Sequence, residues 1–165
     1  MELSKAYRLL SPRPVWLITT VDRAGRINAA PFSFATPVEI DPPLVLFSCD
    51  PEHDTYKNIK ETKEFVINIP TSGMVRKVLI CGNDFPRGVN ELEKAGLSWR
   101  KAGKVRPPLV NECPISLECR FVKEYEKGII VGEVVAVHKR KTAGKVKPLM
   151  HITGKKFTTT KGPLF

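Results

Sequence analysis

The sequence predicts a small, mainly β domain: an antiparallel barrel of about six strands with only short helices. Three observations lead there. Short apolar and β-branched runs recur along the chain, bounded by Gly, Pro and Asp. No helical stretch is long enough to make the crossovers of a parallel sheet. The length, 165 residues, suits one domain spanning 1–165, able to bury about two-thirds of its unfolded surface.

The elements follow in order. Pro14–Val21 is apolar and β-branched and ends at Asp22-Arg23-Ala24-Gly25, a hairpin turn in which Gly25 supplies the positive φ. Arg26–Thr36 returns as one strand of small residues, with Pro31 restricted to an edge or a bulge because it cannot donate to a ladder. After Asp41-Pro42-Pro43 comes a buried strand, Leu44–Cys49. Asp54 is placed to N-cap a helix over Thr55–Thr62, and Glu64–Ile69 is the next strand. Ser72–Cys81 reads as a helix with Met74, Val75, Val78 and Leu79 on one side. Asn90 and Glu93 form a capping box before a short helix that Gly96 closes, and Lys101–Pro108 is a polar loop. Ile115–Tyr125 and Ile129–Lys139 form a final hairpin across Glu126-Lys127-Gly128.

The net charge of +10 invites a nucleic-acid reading, so its distribution matters. Met1–His138 holds 19 Lys/Arg against 17 Asp/Glu, whereas Lys139–Phe165 holds eight Lys/Arg and no acid. The excess belongs to the C-terminal segment. The aromatic residues are not interleaved with these cations as base-stacking platforms require. A non-catalytic basic barrel that binds nucleic acid, or another phosphorylated ligand, is therefore the rival reading and not the main one.

No apolar run approaches the ~20 residues of a membrane helix, and the N-terminus lacks a signal peptide's apolar block, so the chain is expected in the cytoplasm and off the membrane. Cys49, Cys81, Cys113 and Cys119 form no CxxC pair and read as buried small hydrophobes, not as metal ligands or a redox dithiol. Cys113 and Cys119 are expected on one face of one strand. Walker, G-x-G-x-x-G and G-x-S-x-G motifs are absent.

Two stretches could carry chemistry. Asn28–Pro37 combines the small Ala29, Ala30 and Ala35 with the hydroxyls of Ser33 and Thr36 and the ring of Phe34. It reads either as a bulged edge strand or as a backbone shelf for a planar heterocycle. Cys49–Asn58 contains a helix start with Thr55 and Lys57 nearby, which is either a plain N-cap or an anion site.

In order, Pro14–Val21, Asp22–Gly25, Asn28–Ser33, Asp41–Val45, Asp54–Ile59, Glu64–Asn68, Gly88–Leu97, Cys113–Cys119, Val131–His138 and Pro148–Phe157 resemble the flavin reductase-like, FMN-binding split-barrel family, flavoredoxin included. The resemblance implies a six-stranded Greek-key split barrel that dimerises, with FMN near the subunit interface. It would place Asn28 and the Ala29–Thr36 backbone along the isoalloxazine, with Phe34 against it. Ser48 and Thr55 would approach the ribityl chain and phosphate, with Asn58 close by. His138 and Phe157 would complete the pocket, from the same or the partner subunit. Where some relatives place a lysine near the phosphate, this chain carries Glu91, and Arg87 is the basic residue that would replace it. The implied activity passes electrons from NADH, NADPH or a protein donor through FMN to free flavin, a ferric chelate or a partner protein. The protein supplies binding and orientation and no catalytic side chain. The basic C-terminal segment would then serve phosphorylated cofactors or an acidic redox partner.

Overall fold

Strands form where the apolar runs lie, and the central strands β2 and β6 are covered on both faces. The computed structural model describes residues 2–126, 128–141, 143 and 147–160. Lys127 of the expected hairpin turn, and Lys145 and Lys161 of the basic segment, lie outside the described residues.

A 3-10 helix, Leu3–Leu10, precedes β1 (Arg13–Pro14), β2 (Trp16–Val21), β3 (Ile27–Phe32), β4 (Ala35–Glu39) and β5 (Leu44–Ser48). Helix α1 (Asp54–Thr62) leads into β6 (Glu64–Ile69), followed by α2 (Val75–Cys81) and α3 (Glu91–Lys94). The short β7 (Trp99–Arg100) and β8 (Leu109–Val110) come before the long hairpin of β9 (Ile115–Tyr125) and β10 (Ile129–Lys139). The described chain closes with β11 (Met150–Thr153) and β12 (Lys156–Thr158).

The main sheet is antiparallel and has the order β3-β2-β6-β9-β10-β5-β4. Its two edge strands, β3 and β4, are joined by Ser33 and Phe34 alone. At roughly 3.3–3.6 Å of chain per residue, that link holds the two edges close together. The sheet must therefore curl into a half-closed barrel with a split between its edges. Ser48 N–H donates to the Phe34 carbonyl at 2.9 Å, extending the β4–β5 pairing into the link.

The interior is filled by Trp16, Ile18, Phe32, Phe47, Phe65, Ile67 and Ile130. Phe47 touches Phe32 edge-on at 5.1 Å and Phe65 at 5.4 Å, a geometry that aromatic pairs prefer. Alternate residues, Leu17 and Ala29 among them, pack outward against Met74, Val78, Leu92 and Leu149. All six residues of β2 are thus buried, which is why the run Trp16–Val21 shows no polar alternation.

Four expectations need correction. Arg26–Thr36 is two strands, because the chain leaves one edge at Ser33 and joins the other at Ala35, so the sheet has seven strands and not six. His53, not Asp54, occupies the N-cap of α1, without a side-chain cap; Asp54 sits in the first turn. Ser72–Met74 is a 3-10 turn, so the α-helix begins only at Val75. Cys113 precedes β9 and packs in the outer cluster, whereas Cys119 packs in the barrel interior, so they share no face. Other local readings hold. Gly25 has φ +83°, Pro31 lies on an edge strand, and the Asn90 side chain caps α3 by accepting from Leu92 N–H at 3.1 Å. All four cysteines are buried thiols.

Candidate functional site

The split between the sheet edges opens onto two adjoining hollows of about 290 Å³ each. Pro31, Phe32, Gly82 and Asn83 line both. The first extends over Asn28 and Ala30 to Asp54, Thr55, Arg87 and Glu91. The second extends to Ser33, His151 and Phe157. Together they reach the size of a cofactor pocket.

A polar network orders the first hollow. Asn28 Oδ1 accepts from the hydroxyls of Thr55 at 2.8 Å and Thr20 at 3.2 Å, while its Nδ2 donates to Glu91 at 3.1 Å. Asn58 Nδ2 donates to Thr20 at 3.0 Å, and its oxygen accepts from Arg87 at 3.2 Å. Arg87 also pairs with Asp54 at 2.8 Å. The N–H groups of Asp54 and Thr55 open α1 and have no acceptor inside the helix. Their partial positive charge and the Arg87 guanidinium are the groups that could hold an anion at this end.

Four carboxylates, Glu52, Asp54, Asp84 and Glu91, also line the hollow. Arg87 compensates Asp54. Glu91 is buried, and its oxygens are taken up by Ala29 N–H at 2.8 Å and by Asn28. Burial pushes its carboxyl above the usual carboxylate range despite those bonds. Cys81, also at the wall, is a thiol that burial pushes up to about 12, so it is no thiolate nucleophile.

Gly82 and Pro31 meet where the two hollows adjoin. A Cβ added at Gly82 would sit 3.1 Å from Pro31 Cγ, so glycine lets the end of α2 settle against the β3 edge. In the second hollow, His151 Nε2 faces the Gly154 carbonyl at 3.0 Å. A carbonyl only accepts, so this nitrogen carries the proton. Nδ1 then accepts from the Ser33 hydroxyl at 2.9 Å and lies 3.4 Å from Arg13. Phe157 packs beside the ring at 5.3 Å.

The structure gathers Asn28, Ala30, Thr55 and Arg87 in the first hollow and Ser33 and Phe157 in the second. Asn58 stands behind Arg87. Phe34 and Ser48 lie in an open extension with Tyr7 and His53, where Tyr7 meets Phe34 edge-on at 5.5 Å. Ala29 is buried in the outer cluster with its N–H committed to Glu91, so it does not face the cleft. Ala35 packs on the barrel interior, and the Thr36 hydroxyl donates to its neighbour Pro37. His138 lies apart on β10, with Nε2 2.6 Å from Glu118. Sequence reasoning missed Gly82, Asn83 and His151. The first two come from the end of α2, whose place against β3 no local pattern announces. His151 stood in the closing segment with no visible partner.

Fold and cleft define a class: a split-barrel protein with a two-lobed cleft along its β3 edge. Residues 7–160 match the flavin reductase like domain, and the chain belongs to that family of flavin-dependent redox proteins. An uncharacterized protein of Aquifex aeolicus is 37% identical over 137 residues, covering 78% of this chain and 70% of its own. The 2-nitrobenzoate 2-nitroreductase NbaA of Pseudomonas fluorescens superposes with a TM-score of 0.86 at 27% identity, covering 100% of this chain and 91% of its own. The flavoredoxin of Methanosarcina acetivorans gives 0.81 at 26% identity, over 93% and 88%. No helix of the described residues is long and apolar enough to cross a membrane.

Proposed function

We propose that the protein is an FMN-dependent oxidoreductase that takes electrons from NADH, NADPH or a protein donor and passes them to an acceptor: free flavin, a ferric chelate or a partner protein. The observation that supports this reading is one cleft that runs from Thr55, Arg87 and the first turn of α1 along Ala30–Phe32 to Gly82. When bound, FMN supplies hydride acceptance and onward electron transfer.

This chain's residues bind and orient. Arg87 and the first turn of α1 hold the phosphate, and Asn28 and Asn58 fix the groups around it. Pro31 and Gly82, packed against each other, form one wall beside the ring. Ser33 and His151 form the polar end of the second hollow, and Phe157 its wall. No side-chain acid or nucleophile is needed. The protein acts in the cytoplasm as a homodimer, and the partner subunit closes the open side of the cleft. An acidic redox partner suits the basic C-terminal segment.

The visible spectrum of the purified protein tests the reading, followed by FMN titration and anaerobic addition of NADH and NADPH. A flavin spectrum that bleaches with one nucleotide identifies the donor. Bleaching with neither points to a protein donor. Protein that stays colourless and takes up no FMN overturns the proposal.

A further inference from the structure

A third hollow, of about 350 Å³, lies where the end of β10 meets the turn before β9, and it shares no lining residue with the flavin cleft. Four of its seven lining residues are Arg100, His138, Lys139 and Arg140; the others are Cys113, Pro114 and Val137. The two guanidinium groups reach it from different elements, β7 and the end of β10, and one residue organises both. Arg100 Nη1 donates to the Asn111 side-chain oxygen at 3.0 Å, and Arg140 Nη2 donates to the Asn111 carbonyl. Both are held by neutral acceptors, and neither forms an ion pair among the described residues.

The neighbouring carboxylates are already taken. Glu118, fully buried, accepts from the N–H groups of Gly103, Lys104 and Val105 and from His138. Glu112 accepts from Ser98 N–H and its hydroxyl. A guanidinium held at one edge by an amide keeps its other N–H donors for a ligand, and such forks match phosphate oxygens. Lys139 adds a mobile charge and makes none of the described side-chain hydrogen bonds. This edge also begins the acid-free segment Lys139–Phe165, so the field around it is positive.

The geometry points to a second anion site, a binding site for a phosphomonoester dianion held by Arg100, Lys139 and Arg140. The dianion comes from one of two sources: the 2′-phosphate of a nicotinamide donor, or a free phosphorylated metabolite. The site stands on its own geometry and does not depend on the flavin reading.

The test is a titration of isotope-labelled, FMN-supplemented protein with inorganic phosphate at constant ionic strength, followed by amide NMR shifts. Saturable shifts at Arg100, Asn111 and Lys139 are expected, with affinity at least tenfold weaker in Arg100→Gln and Lys139→Gln. Lys139→Gln keeps the test open if Arg100→Gln does not fold. Arg87→Gln, in the other cleft, should leave these shifts unchanged, so a failure of FMN binding is read separately. NADPH saturating the same amides where NADH does not assigns the phosphate to the donor. Equal weak responses to both nucleotides, with saturation by phosphate, assign it to a free phosphate ester. Shifts that do not saturate, or that persist unchanged in both variants, overturn the site, as does a response seen only with an acidic protein partner.

Discussion

Glu91 holds the backbone N–H of Ala29 at 2.8 Å, joining the first turn of α3 to the β3 edge strand. The same carboxylate takes Asn28 Nδ2 at 3.1 Å, so one side chain sets two successive residues of β3, of which Asn28 lines the cleft. These bonds give Glu91 a structural role at the β3 edge. Arg87 carries the charge at the mouth, and Glu91 acts as a buried anchor.

Replacing Glu91 with Ala leaves a buried N–H and a buried amide without acceptors and opens a void. The expected cost is about 2–4 kcal/mol. Its pH dependence has a definite sign. The folded carboxyl titrates above the ordinary value of 4.5, so its stabilising effect is complete below that pH and is lost as pH rises through the raised value. Urea unfolding of the two proteins at acid and neutral pH should show their difference shrinking toward neutrality. A difference that grows instead would contradict the assignment.

Arg87 and Asp54 act in opposite directions on the same anion. Arg87→Gln removes the cation and should weaken FMN binding about tenfold, roughly 1.4 kcal/mol. Asp54→Asn removes the opposing carboxylate and should tighten it. Both side chains are partly exposed, so global stability should move by less than about 1 kcal/mol. Fluorescence titration of FMN reads both effects. Changes of the same sign in the two variants would place the phosphate elsewhere.

Much of this was legible in the sequence because it is local. The turn at Gly25, the edge position of Pro31 and the short helices are written in residue type and spacing. The split of Arg26–Thr36 was not legible, since it depends on which edges the two halves join, a non-local outcome. The same holds for the cleft. Asn28, Thr55 and Arg87 were found, but Gly82 and His151 reach it from distant segments, and Ala29 faces away because Glu91 claims its N–H. The resemblance implies a pocket role for His138, from the same or the partner subunit; within one chain it sits beside Glu118, where the loop Gly103–Val105 folds over that carboxylate, a placement no local pattern announces.

Gly132 marks a place where β10 passes directly over a ring. A Cβ there would lie 2.4 Å from Phe65 Cζ and 3.2 Å from the Arg120 carbonyl. Phe65 is fully buried between strands and cannot retreat. Gly132→Ala should therefore destabilise the barrel by about 1–3 kcal/mol. Adding Phe65→Leu should recover part of that loss, which a double-mutant cycle from thermal unfolding would measure as a favourable coupling. Strictly additive effects would mean that the two positions do not press on each other.

Glu124 should govern acid resistance. Its oxygens accept from Lys60 at 2.7 Å, Gly128 N–H at 2.9 Å and Tyr56 Oη at 2.9 Å, tying α1 to the β9–β10 turn. The hydrogen bond from Lys60, then that from Gly128, hold its carboxyl down at about 2, against an ordinary 4.5. A lowered folded pKa stabilises fully above the unfolded value, and the effect disappears as pH falls through the folded one. Glu124→Gln keeps a similar shape but loses the charge that Lys60 faces. The variant should be less stable than the parent at pH 6, and the two should converge as the pH falls from about 4.5 toward 2. Gly128 shows why the tie matters. Its φ of +95° and the Cys49 carbonyl, 2.3 Å from any added Cβ, leave no room for a side chain at Gly128, whose N–H Glu124 holds. Unfolding curves in urea at pH 6 and pH 3 decide the matter: a gap of equal size at both would show that the carboxylate's charge plays no part.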